Sequence, residues 1–154
     1  MKTLTALGLI AGIAATPLAM ADARLDDAKN AVALGTDYGI VEFRSIEFDD
    51  DYWGETEIEG WLENGWYVEV EIDSNGNIDR EKRTRFERES YGLSADAVLN
   101  YLDAASREGM VRFDEFEVSS RGFISIEGDD DRDEELDIDF RDDSLEPVRI
   151  ERDD

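Results

Sequence analysis

Apolar positions in the chain follow two periods. Over residues 95–105, Ala97, Val98, Tyr101, Leu102 and Ala105 recur at helical spacing. Ser94 precedes them as an N-cap, Asp96 falls in the first turn, and Gly109 is a natural stop. A thinner stripe of Leu25, Ala28 and Val32 predicts an earlier helix, ending at Gly35 and shorter and less stable than the second. After each helix the period changes to two. Val41 and Phe43 alternate, then the phase slips by one residue to Ile46 and Phe48; Val111 and Phe113 give way to Phe116 and Val118 in the same manner. A slip kept in both places predicts a β-bulge.

These stretches are copies. Gly39-Ile40-Val41-Glu42-Phe43-Arg44-Ser45-Ile46-Glu47 matches Gly109-Met110-Val111-Arg112-Phe113-Asp114-Glu115-Phe116-Glu117 at a separation of 70 residues. Ile58-Glu59-Gly60 matches Ile126-Glu127-Gly128, and Val68-Glu69-Val70-Glu71-Ile72 matches Leu136-Asp137-Ile138-Asp139-Phe140, both at 68. The next hairpin can be registered from its own residues. A two-residue Asn64-Gly65 turn would mix the faces. A three-residue Glu63-Asn64-Gly65 loop, with Gly65 left-handed, instead pairs Leu62 with Trp66, Gly60 with Val68 and Ile58 with Val70. That register puts Trp66 in the core. It sets Trp61 opposite Tyr67 on the other face, between Glu59 and Glu69. The same alternation turns Ile124, Ile126, Leu136, Ile138 and Phe140 inward and makes Asp129 to Glu135 a loop.

The predicted class is α+β: a tandem repeat of two units, each a helix over a three-stranded antiparallel sheet. The expected organisation is a signal peptide at 1–21, a first unit at 22–79, a basic linker at 80–91 and a second unit at 92–154. The linker holds Arg80, Lys82, Arg83, Arg85 and Arg88.

The leader is read from Lys2, the apolar run Leu7 to Ala15, Pro17, and Ala19-Met20-Ala21 as a small-x-small cleavage pattern. The run is too short to span a bilayer. Cleavage predicts a periplasmic or secreted protein with no membrane span. Losing Lys2 moves the net charge from -25 to -26. Such a charge argues against nucleic acid, which requires clustered Lys and Arg, and against anionic membrane surfaces. Apolar residues still make up 41% of the chain and are patterned, so it is expected to fold. With no cysteine and no histidine, disulfides, thiolate or imidazole zinc sites, and Ser-His-Asp or Cys-His catalysis are all excluded. Paired carboxylates of a glycosidase kind carry no weight, because among 41 acidic residues some pair will always be suitably spaced.

The hairpin ending Tyr67-Val68-Glu69-Val70-Glu71-Ile72-Asp73-Ser74-Asn75-Gly76-Asn77-Ile78 resembles that of a PepSY domain. The likeness extends over most of residues 24–152. In the second copy, Leu136 to Val148, the glycine is missing. The resemblance implies a helix followed by a three-stranded sheet and a non-catalytic role. Such domains occur in peptidase propeptides and bacterial envelope proteins, and an inhibitory role toward peptidases has been proposed for them. It carries over no catalytic residue.

Two surfaces are candidates for function. Trp61 and Tyr67, flanked by Glu59 and Glu69, form an aromatic pair of the kind that marks an interface with a protein or peptide partner in the cell envelope. Packing against the linker or the other repeat is the plainer account of the same pair. In the acidic stretch 129–135, Asp129, Asp131 and Asp133 are candidate ligands for Ca²⁺. The stretch fails the EF-hand pattern, with Glu134 at the sixth position and Phe140 at the twelfth, and a solvated hairpin loop is the preferred reading. Asp49-Asp50-Asp51 is a weaker version of the same motif. The expectation is therefore no enzyme and no required cofactor. The alternative is an acidic, salt-adapted envelope protein that binds Ca²⁺ or other cations.

Overall fold

The computed structural model describes residues 23–48, 54–86 and 89–153. The expected leader at 1–21, Asp49-Asp50-Asp51 and Arg88 lie outside them. The elements are β1 (Ala23–Arg24), α1 (Leu25–Tyr38), β2 (Ile40–Phe48), β3 (Thr56–Leu62), β4 (Tyr67–Ile72), β5 (Ile78–Thr84), α2 (Ala95–Arg107), β6 (Arg112–Val118), β7 (Phe123–Asp129), β8 (Glu135–Arg141) and β9 (Ser144–Asp153). All nine strands join one antiparallel sheet in the order β5-β4-β3-β2-β6-β7-β8-β9, with β1 paired to β6.

This corrects the expected class. About half of the described residues are strand, against two helices, so the protein is mostly antiparallel sheet and not a pair of helix-plus-three-strand α+β units. Three strands escaped the sequence pattern, the two-residue β1 among them. Arg80 to Thr84, read as linker, belong to β5 on one edge, and β9 lies on the other. Nor are there separate sheets, because β2 pairs with β6 through Ser45↔Glu117, Ile46↔Phe116 and Glu47↔Glu115.

The repeat reappears in how the two halves interlock. Ala23, leading into α1, pairs with Phe113 of β6, while Leu93, leading into α2, bridges to Phe43 of β2. Each lead-in thus adds to the first strand of the other half. The bulges fall at equivalent places, between Phe43 and Ser45 and between Phe113 and Glu115.

Both helices cover the same apolar face. Ala28, Ala31 and Val32 from α1 and Val98, Tyr101, Leu102 and Ala105 from α2 join Phe43, Ile46, Ile58, Val70, Phe116, Ile126, Ile138 and Phe140 in one cluster. A Lys29–Asp103 ion pair of 2.6 Å bridges the helices. Ser94 caps α2 by accepting from the Ala97 amide, and Asp27 accepts from the Arg24 amide at the start of α1.

Several local expectations change. Helix α1 runs through Gly35 to Tyr38 and, at 14 residues, is no shorter than α2 at 13. Gly35 is there because the Phe43 ring lies over it: a Cβ would come within 2.6 Å of that ring. The left-handed stop is Gly39, at φ 112°. Val41 and Val111 are exposed, and their neighbours Ile40 and Met110 are the buried residues. Trp66 is only half-buried at the β3–β4 turn, with the Arg85 guanidinium over its ring. The turn itself has the expected register: Leu62 donates to the Trp66 carbonyl, Gly65 is left-handed at φ 80°, and Trp61 pairs with Tyr67.

Candidate functional site

Since side chains alternate along a strand, the face opposite the helices receives Glu57, Glu59 and Trp61 from β3 and Tyr67, Glu69 and Glu71 from β4. Arg44 reaches it from β2, beside the bulge. Over the Trp61–Tyr67 pair comes the chain leaving β5. The Tyr91 ring lies 5.1 Å from Trp61 and the Phe86 ring 5.1 Å from Tyr67, centroid to centroid, and Trp61 and Tyr67 meet edge-on at 4.9 Å. Edge-on and tilted contacts at these separations are favourable for aromatic rings. The pair is therefore buried, at 5% and 4% exposure, although it faces away from the helices. Packing against the segment after β5 accounts for it.

What stays open is a concavity of about 570 Å³ lined by Arg44, Glu59, Trp61, Tyr67, Glu69, Phe86, Glu89 and Tyr91. Its electrostatics centre on Arg44. The guanidinium donates to Glu59, to the Tyr67 hydroxyl at 3.2 Å, to the Tyr91 hydroxyl at 3.3 Å and to Glu117 at 3.2 Å. Tyr67 in turn donates to Glu59. Burial, followed by the bond to Glu59, pushes the Tyr67 hydroxyl well above its ordinary value, so it stays a donor. Burial pulls the Arg44 guanidinium down, but its bonds to Tyr67, Tyr91 and Glu59 outweigh this and hold it charged. Glu69 is tied at the rim to Lys82 of β5, at 2.7 Å.

The four residues singled out as a partner surface, Trp61, Tyr67, Glu59 and Glu69, are thus brought together. Arg44, Phe86, Glu89 and Tyr91 complete the concavity and were not anticipated. Arg44 did leave a signal, as the lone basic residue in β2, β3 and β4. Phe86, Glu89 and Tyr91 left none, because nothing local to 80–91 shows where that segment folds back.

The candidate calcium ligands do not converge. Arg112 pairs with Asp129 at 3.3 Å and with Asp133 at 2.6 Å, while Asp131 is exposed. The turn is organised instead by Asp130, which accepts from the Arg132 and Glu134 amides at 2.7 and 3.3 Å; the bond from the Arg132 amide leads in holding its carboxyl below the usual range. Asp133 adopts a left-handed backbone at φ 62°. Among the described residues, no group of three or more acidic side chains is placed to hold a metal ion.

No protein-family model matches the chain, and no curated protein sequence matches it. Among solved structures it is similar to a Clostridium difficile 630 protein described as a "putative lipoprotein", at 16% identity and a TM-score of 0.47, over 86% of this chain and 94% of that one. Among the described residues, no helix is long and apolar enough to cross a membrane.

Proposed function

We propose that the protein is a non-catalytic binding module of the periplasm or extracellular space that takes a protein or peptide partner on the open face of its sheet. A basic side chain of the partner enters the concavity between β3, β4 and the side chains of Phe86, Glu89 and Tyr91. The observation that carries this reading is the concavity's make-up: Glu69 and Glu89 stand at its margin beside the Phe86 and Tyr91 rings, and the Arg44 cation in its lining is already bound by Glu59 and Glu117. Aromatic faces and carboxylates together favour an ammonium or guanidinium group with an aliphatic stem. The resemblance to PepSY domains supports a regulatory role toward a peptidase or envelope protein, and the leader pattern supports export.

The test is capture from envelope extract by the mature chain, beside a Glu69→Lys/Glu89→Lys variant. Truncating Trp61 or Tyr67 would be uninformative, since both are buried in the fold. The expected result is a protein retained by the parent at about 0.15 M salt and lost by the charge-reversed variant, with the melting temperature little changed. Equal retention by both proteins, or none by either, overturns the reading.

A further inference from the structure

One transverse line on the open face is acidic on seven adjacent strands. It runs from Glu71 on β4 through Glu57 on β3, Glu47 on β2, Glu115 on β6, Glu127 on β7 and Asp137 on β8 to Glu151 on β9, each residue directly opposite the next. Counter-charge sits at the ends. Arg80 lies 2.5 Å from Glu71, and Arg149 pairs with Glu151. The five interior carboxylates make no ion pair with Lys or Arg among the described residues. The cations beside the line are engaged with flanking acids. On one side Arg44 holds Glu59 and Glu117, Lys82 holds Glu69, and Arg149 also reaches Asp139. On the other side stand Glu55, Asp129 and Glu135, with Arg112 bound to Asp129 and Asp133.

Directly opposed like charges weaken a sheet, and strands lie only about 4.8 Å apart. Two neighbouring carboxylates that share a proton exchange that repulsion for a hydrogen bond. We propose that this line is a proton-sharing seam that strengthens the fold in mild acid, its cross-strand carboxylates taking up protons between them as the pH falls below neutrality. Three of its members carry a shift of the sign this requires. Burial first, and neighbouring carboxylates second, push Glu57, Glu115 and Glu127 above the ordinary carboxylate range. An acid with a raised value in the fold contributes stability that is fully present below its unfolded value and is lost as the pH rises through the folded one. Asp73 and Asp130 have the opposite sign. Backbone amides, of Asn77 and Arg132 respectively, lead in holding them down, so their contribution is lost at lower pH and bounds the stable range from below.

The test is the melting temperature of the mature chain between about pH 7 and about pH 5, for three proteins. The parent's midpoint is expected to rise by about 5 °C or more on acidification. Glu47→Gln/Glu115→Gln, which removes two central members, should melt higher than the parent at neutral pH and keep about half of that rise. Glu63→Gln/Glu146→Gln loses the same charge at exposed positions off the line and should keep the parental slope. Equal slopes in the two variants would assign the effect to overall charge and overturn the seam, as would a parent that does not rise. Should the central variant fail to fold, carboxyl-carbon NMR titration of the parent decides: raised midpoints for Glu57, Glu115 and Glu127 support the seam, and ordinary single midpoints overturn it.

Discussion

Four acceptors surround the Arg44 guanidinium, Glu59, Tyr67, Tyr91 and Glu117, drawn from β3, β4, β6 and the segment before α2. Its side chain is 28% exposed, so the ion pairs are neither fully screened nor fully desolvated. Removing the cation would strip Glu59 and Glu117 of their shared counter-charge and leave both to repel their acidic neighbours. We expect Arg44→Met to cost about 1–3 kcal/mol, between the values for exposed and buried pairs. Arg44→Lys should recover only part of this, because an ammonium is compact and cannot span four acceptors as a planar fork does. Urea unfolding measures both. A neutral Arg44→Met would mean the network is ornament on a fold held by other contacts.

At the level of strands, Gly60 and Gly128 show what the repeat encodes. A Cβ on Gly60 would lie 2.3 Å from the Glu42 carbonyl oxygen, and one on Gly128 would lie 2.0 Å from the Arg112 carbonyl oxygen. Each glycine faces the strand beside a bulge, where the partner backbone comes too close for any side chain. Gly60→Ala and Gly128→Ala should each cost about 2–4 kcal/mol, since backbone and not a flexible side chain must move. Gly65→Ala, with open space around it but a left-handed backbone, should cost about 1 kcal/mol. Thermal melts of the three variants check the ranking. The sequence made β3, β4, β7 and β8 legible because each has one dry face and one wet one, and period two follows from that. Strand β5 was illegible for the converse reason. Its residues opposite Val70 and Val68 are Glu81 and Arg83, exposed at the edge beyond the helices, so no apolar beat marks it. Of the concavity, the half built by the β3–β4 hairpin could be registered from its own turn. The half supplied by Phe86, Glu89 and Tyr91 depends on long-range packing that no local pattern records.

For the whole molecule, the interlock decides how the protein unfolds. Ala23 pairs across to Phe113 and Leu93 across to Phe43, β2 joins β6, and a single apolar cluster draws on both helices. Neither half keeps its first strand fully paired without the other, so loss of one exposes the apolar seam of both. Unfolding should then be one cooperative transition. The tryptophans make this testable, because Trp53, Trp61 and Trp66 all lie in the first half of the chain. Ile138 is fully buried on β8, three strands from β2. Ile138→Val should cost about 1 kcal/mol and lower the melting point by about 3–5 °C. In a cooperative molecule that shift appears in tryptophan fluorescence although Trp61 on β3 and Trp66 at the β3–β4 turn lie several strands from the substitution. It matches the shift seen by far-ultraviolet circular dichroism. A fluorescence midpoint that stays at the parental value while the dichroism midpoint falls would show two halves melting independently, and the shared strands would then contribute little to holding them together.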